Sequence, residues 1–367
     1  MRFRIQKNAF YEVLTYLKNV IPANSALPMM SNFYLKAIDN RIVFIGTDQE
    51  NTLKAELEAE VTEKGELVLP YRFVFDTLSN IPGDSMLDFE LKDDYMNLSA
   101  DGNIFRFVYA SAEEYPEPPE YDERLSFTVD TGLLSDMIKK TIFAVSTDKT
   151  NRIHLSGLNF KVIQNILHIA GTDSRRLAYV KKPIECSHEF SFTVPFETLR
   201  EVRALCSDYD KVKILLTGKE NQIIFVFNNV IFFSRLLEDD FPDYLNIIPE
   251  GSTTRLMIET VKFKQILRMA KPIADAASVR SVRLVVSDGN LGVYADAEER
   301  GQFSTEVSVK TEGDNADVNF NIDYLLQVSD ICDSDVITLA LNSNTRPTVI
   351  RENENNDFIY IVMPIRG

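Results

Sequence analysis

The chain is poor in the residues on which metal centres, disulfide scaffolds and most hydrolytic sites are built. It has three cysteines in 367 residues, Cys186, Cys206 and Cys332. Their odd number and wide spacing argue against a disulfide framework and predict free thiols in a reducing cytoplasm. The three histidines, His154, His168 and His188, never stand at ligand spacing from a second histidine, and Cys186-x-His188 is too sparse for a metal centre. No apolar run reaches about 18 residues, so no membrane span is expected. The opening MRFRIQKNAFYEVL turns polar at once, so no secretory leader is expected. Phosphate-loop, dinucleotide, zinc-protease and nucleophile-elbow motifs are missing, so no cofactor and no catalytic residue is assigned. The carboxylates left for acid–base work are Asp48, Asp173 and the run Glu238, Asp239, Asp240 and Asp243. A carboxylate-dependent hydrolase would have to use these; solvated turns account for them more simply.

What the chain does have is repetition. Ile166–Val180 reads ILHIAGTDSRRLAYV: a strand, a Gly-Thr-Asp turn, and a returning strand with two arginines at its mouth. Glycine, free at positive φ, and aspartate, which bonds its own backbone, are expected to make the turn. Ile42–Leu57, IVFIGTDQENTLKAEL, has the same layout, and Gly171 follows Gly46 by 125 residues (171 − 46). A fainter third copy, LGVYADAEERGQFSTEV, places Asp296 at 123 residues beyond Asp173 (296 − 173). Pro70, Pro195 and Phe320 open matching second helices at intervals of 125. A period this long indicates three copies of a whole domain rather than a solenoid.

Each copy reads as two helices and roughly eight strands. The first helix carries Phe10, Val13, Leu14, Leu17 and Ile21 on one stripe, and the first helix of the third copy turns Phe263, Ile266, Leu267 and Ala270 inward. Ser111–Arg124, with three prolines and six acids, reads as a linker, as does NIIPEGSTT. These breaks bound domains at 1–120, 125–247 and 254–367.

The net charge is −16, yet the bases gather on helices. Lys262, Lys264, Arg268 and Lys271 share a stretch free of acid. Lys139 and Lys140 lie off the apolar stripe of the middle domain's first helix, and Arg200 and Arg203 lie on its second. Basic helices in an acidic protein suit contact with duplex phosphates, without base readout.

Three tandem α+β domains, each of two helices on antiparallel sheets, resemble the bacterial sliding-clamp family, the beta subunit of DNA polymerase III. The matches are Leu27-Pro28, Gly46–Asp48, Thr172–Ala178 (TDSRRLA), Phe241–Tyr244 (FPDY), Val282–Leu284 and the terminal YIVMPIR, and they span essentially the whole chain. The resemblance implies a non-catalytic processivity factor: a head-to-tail homodimer closing a six-domain ring around double-stranded DNA. It implies as partners the catalytic subunit of DNA polymerase III, the clamp loader and other proteins with a clamp-binding peptide, and no membrane. It implies a peptide pocket of Leu155, Thr172, Arg175, Arg176, Leu177, Pro242, Ile247, Ile361, Val362 and Met363, with Arg152, Ser174 and Tyr244 nearby. DNA would meet the bases named above together with Lys149 and Arg152. Phe105 and Phe107, on an edge strand, would meet Ile273 and Ala274 of the partner after the Val261 helix. The sequence departs from the family at Arg175, usually His or an aromatic, at Asn24, often basic, and at Ile153 and His154, where aromatics can stand. A structural oligomer with no DNA role is the other alternative.

Overall fold

The computed structural model describes residues 1–367 except 26, 93, 122–124, 149, 151, 218–220, 239, 250, 353–356 and 366–367. Each repeat supplies two helices: Lys7–Leu17 (α1) and Tyr71–Ser79 (α2), Thr131–Ile142 (α3) and Phe196–Leu205 (α4), Thr260–Ala276 (α5) and Ile322–Ile331 (α6). The chain divides into two compact units, Met1–Leu134 with Glu197–Leu236, and Ser135–Phe196 with Leu237–Gly367. The middle repeat therefore contributes to both.

The first unit holds two antiparallel sheets. One runs, in spatial order, Glu60–Glu63, Arg2–Gln6, Met86–Lys92, Tyr95–Ala100 and Asn103–Val108. The other has eight strands, Ser126–Asp130, Lys211–Thr217, Gln222–Val226, Val230–Arg235, Asn51–Glu58, Arg41–Thr47, Asn32–Ile38 and Gly65–Pro70. Two repeats meet within this sheet, where the last strand of the second pairs with the returning hairpin strand of the first, Ser234 opposite Asn51.

The second unit follows the same rule. Its nine-stranded sheet runs Phe190–Pro195, Gly157–Ile163, Ile166–Thr172, Arg176–Pro183, Phe358–Val362, Thr348–Glu352, Val336–Leu341, Thr254–Glu259 and Lys310–Gly313. Again the last strand of one repeat pairs with the returning hairpin strand of its predecessor, Leu177 opposite Ile361. The remaining sheet is Gln302–Ser308, Asn290–Asp296, Ser281–Ser287 and Ala316–Asn321.

The helical stripes read from the sequence are buried: Phe10, Val13, Leu14 and Leu17 in α1, and Phe263, Ile266, Leu267 and Ala270 in α5. Phe10 stacks on Phe89 at 5.0 Å and meets Phe44 edge-on at 4.9 Å, so helix and both sheets share one aromatic core. Two helix ends differ from the pattern. α1 stops at Leu17, whose carbonyl then caps the N–H groups of Val20 and Ile21. α5 continues through Pro272 to Ala276, so Ile273 and Ala274 lie inside it rather than after it.

The hairpin turns also correct one expectation. Gly46 and Gly171 are not the residues at positive φ; Gln49 (φ 80°) and Ser174 (φ 71°) are. The glycines are needed for close packing. A Cβ on Gly171 would lie 2.7 Å from both the Thr141 carbonyl oxygen and Leu158 Cδ2, and one on Gly46 would lie 2.6 Å from Leu17 Cδ2. The predicted linker is partly anchored: buried Tyr115 donates to the carbonyls of Asn32 (3.1 Å) and Ile45 (3.3 Å). Among the described residues no helix is long and apolar enough to cross a membrane.

Candidate peptide cavity and basic helix faces

The second-repeat turn is built by its own side chains. Asp173 Oδ1 accepts the N–H groups of Arg175 (2.9 Å) and Arg176 (3.1 Å), and its Oδ2 meets Arg176 Nε at 3.0 Å. Thr172 Oγ1 accepts the Ser174 N–H at 3.1 Å and donates to the Arg176 carbonyl. Asp48 does the same in the first repeat, accepting from Glu50 (3.0 Å) and Asn51 (2.6 Å). Carboxylates bound in this way hold their own turns together. Asp239 of the acidic run lies outside the described residues, and no group of three metal-ligating side chains occurs among those described.

Arg176 is buried and fully engaged. Beyond Asp173 it donates to the Phe143 carbonyl at 2.7 Å and to Gln327 Oε1, and its guanidinium lies 4.3 Å from the Tyr324 ring centroid. It ties the turn to α6. Beside it opens a cavity of about 190 Å³, walled by Leu155, Thr172, Ser174, Arg175, Arg176, Leu177, Pro242, Tyr244, Ile247, Pro347, Ile361 and Met363. Leu177 and Ile361 are cross-strand partners on its floor. Ile247 and Met363 form an exposed apolar lip. Tyr244 is buried, and its hydroxyl has no hydrogen-bond partner among the described residues; burial, with Tyr179 alongside, raises this phenol above its ordinary range.

Eleven of these wall residues belong to the set expected from the sequence, and two members of that set stand elsewhere. Val362 points to the opposite face, as strand alternation between Ile361 and Met363 requires, and is fully buried. Arg152 folds over the turn, donating to the Asp173 carbonyl at 2.9 Å and to Ser174 Oγ. Pro347 was not expected. It precedes the strand next to Phe358–Val362, and only sheet pairing brings it to the cavity.

Family models for the N-terminal, central and C-terminal domains of the DNA polymerase III beta subunit match residues 1–119, 128–243 and 245–366. The chain belongs to the DNA polymerase III beta-subunit family. It is 27% identical to the beta sliding clamp of Bacillus subtilis, covering all of both chains. It is equally 27% identical to that of Streptococcus pneumoniae, covering all of this chain and 99% of the other. The crystal structure of the Pseudomonas aeruginosa sliding clamp bound to griselimycin matches over the whole of both chains, with 26% identity and a TM-score of 0.94.

In this beta-subunit family member the bases read as DNA-facing are mostly paired within the fold. Lys264 lies 2.5 Å and Arg268 3.2 Å from Asp330 of α6, and Lys271 lies 2.7 Å from Asp323 and 3.0 Å from Asp275. Lys139 reaches Asp333, while Lys140 is largely buried among Asp136, Asp333 and Glu352. The bases of α5, which meet no acid along the helix before Asp275, are compensated mainly by Asp323 and Asp330 of α6. Arg200 pairs with its neighbour Glu201. Lys262 and Arg203 are exposed and make no ion pair with the described residues. Lys149 lies outside the described residues.

The edge strand expected at the subunit contact turns other side chains outward than the two phenylalanines. Asn103–Val108 is an edge strand as foreseen, but Phe107 is 7% exposed and Phe105 half-buried, whereas Ile104 and Val108 are 68% and 66% exposed. Alternation sends the phenylalanines toward Met96 and Leu98, their cross-strand partners. A groove of about 560 Å³ beside this edge joins Phe105, Phe107 and Val108 to exposed Phe73. Ala274 is fully buried against its own fold and Ile273 half-buried.

Proposed function

We propose that this chain is a sliding clamp: two copies join head to tail, encircle duplex DNA without reading its bases, and tether partners for processive synthesis. The three domains span 1–120, 125–247 and 254–367. The DNA polymerase III catalytic subunit, the clamp loader and other proteins bring short peptides to the Leu177–Ile361 cavity. An apolar side chain enters between Leu155, Pro242, Ile247 and Met363, exposed Arg175 meets its polar backbone, and buried Arg176 holds the wall in place. Tethering acts through effective concentration and needs no chemistry of its own in the cytoplasm.

The observation that carries this reading is the sheet-joining rule. Twice, the last strand of a repeat pairs with the returning hairpin strand of the repeat before it. Two such strands are left at sheet edges: the last of the first repeat, Asn103–Val108, and the returning strand of the third, Gln302–Ser308. A second copy satisfies both at once, and the same interface repeated head to tail closes after two subunits. Ile104, Val108 and Phe73 then become interface residues, with Ile273.

Light scattering across a dilution series tests it, the expected mass being twice that of the 41.8 kDa chain. Retention on circular DNA with loss from linearised DNA is the second expected result. A monomer at every concentration, or equal loss from both DNAs, would overturn the ring.

A further inference from the structure

We infer that Asp330, at the C-terminal end of α6, sets how firmly α5 grips DNA phosphates. The inference rests on the proposed placement of α5 toward the duplex. The sequence of α5 carries Lys262, Lys264, Arg268 and Lys271, and its first acid is Asp275. Taken alone, such a helix would bind phosphates strongly. The fold places one carboxylate against two of these cations: Asp330 Oδ1 lies 2.5 Å from Lys264 Nζ and 3.2 Å from Arg268 Nη2. A phosphate that approaches either cation competes with Asp330 for it.

Two features indicate that Asp330 serves α5 rather than α6. It is the next-to-last residue of α6, where the helix dipole presents its negative end and an acid is unfavourable. Asp323, in the first turn of the same helix, is on the favourable side and has its N–H held by the Asn321 side chain at 2.8 Å. Asp330 is also nearly half exposed and Arg268 more so, and ion pairs in contact with water are weak enough to exchange. The arrangement gives α5 a reserve of positive charge that a passing phosphate draws on at the expense of an internal partner. Affinity stays low and even along the duplex, as sliding requires.

The test compares full-length chains carrying Asp330→Asn, Asp288→Asn (an exposed hairpin-tip acid) and Lys264→Glu with Arg268→Glu, measuring affinity for duplex DNA between about 50 and 200 mM salt, where phosphate contacts are most salt-sensitive. Freeing two cations should steepen the log–log salt dependence by up to about 1.8, and tighten binding on the order of tenfold at the lower salt. Asp288→Asn should change neither, and the melting temperature of Asp330→Asn should not fall. Equal tightening by Asp288→Asn would reduce the effect to net charge and overturn the inference; a fallen melting temperature would make Asp330 structural and overturn it as well. If Lys264→Glu with Arg268→Glu weakens binding while Asp330→Asn leaves it unchanged, the inference fails and the clamp reading stands. If neither alters binding, the placement of α5 toward DNA fails, and the inference with it.

Discussion

The hairpin turns of the first and second repeats share a backbone and differ in one slot. In both, a threonine hydroxyl bonds the carbonyl four residues on, an aspartate caps the next two free N–H groups, and a non-glycine residue takes positive φ. At the closing position the first repeat has Asn51, which bonds Asp48 in its own turn and accepts a single hydrogen bond from Thr198 of α4. The second has Arg176, which reaches Asp173, Phe143, Gln327 and Tyr324 and walls a cavity. Rim charge differs too. The groove over the first-repeat sheet is bordered by Glu66, Glu113, Glu117 and Glu120 with Lys36 and Lys54, an acidic balance, whereas the second-repeat cavity has Arg175 and Arg176. The two repeats share the turn chemistry and differ in the closing side chain and in the charge beside it.

Truncating the closing residue should separate the turns most. Arg176→Ala is expected to cost about 3 kcal/mol, because Asp173 loses a buried ionic partner, whereas Asn51→Ala should cost about 1 kcal/mol; urea unfolding reads both. The same Arg176 variant should weaken binding of a clamp-binding peptide by ~30-fold, an anchor-sized loss of about 2 kcal/mol. Equal destabilisation at the two sites would end the comparison. Next come the glycines. Gly171→Ala drives a Cβ against a backbone carbonyl and should cost about 3 kcal/mol, while Gly46→Ala meets movable side-chain ends of Leu17 and Ile21 and should cost about 1 kcal/mol.

Met363→Ala removes part of the cavity lip and should lower peptide affinity about tenfold. The light-scattering mass should not change, since Met363 is distant in sequence and sheet from the proposed subunit edge. Unchanged affinity in a clean dimer would refute the cavity assignment. The smallest effect concerns pH. His168 bonds the Tyr179 hydroxyl at 2.7 Å, and burial, then Lys181 and Lys161 on adjoining strands, hold its imidazole below the ordinary 6.5. The unfolded chain therefore takes up the proton first, so stability should hold above about pH 6.5 and decline below it. Val43 stands at the matching first-repeat position (168 − 125), and His168→Val should remove the decline.

Much of the cavity was legible only through the resemblance to the sliding-clamp family, carried by the motifs at Thr172–Ala178, Phe241–Tyr244 and the terminal YIVMPIR. The residues taken singly read as core. The strand period of two places Val362, Phe105 and Phe107 inward, an argument available in the sequence but outweighed by their apolar character. Pro347 was not legible, since nothing in the chain says which loop borders the last strand. Nor was the compensation of α5: Asp323 and Asp330 lie more than fifty residues from the bases they hold.

By itself the sequence determined the triplication, the helical stripes, the alternating strands and the hairpin turns, because each depends on neighbours within a few residues or on a fixed period. Tertiary structure alone decided which cations remain free, which loop borders the cavity and that the middle repeat is shared between two compact units. Those outcomes depend on pairing between distant segments, and charge and burial are properties of what lies opposite a residue rather than beside it.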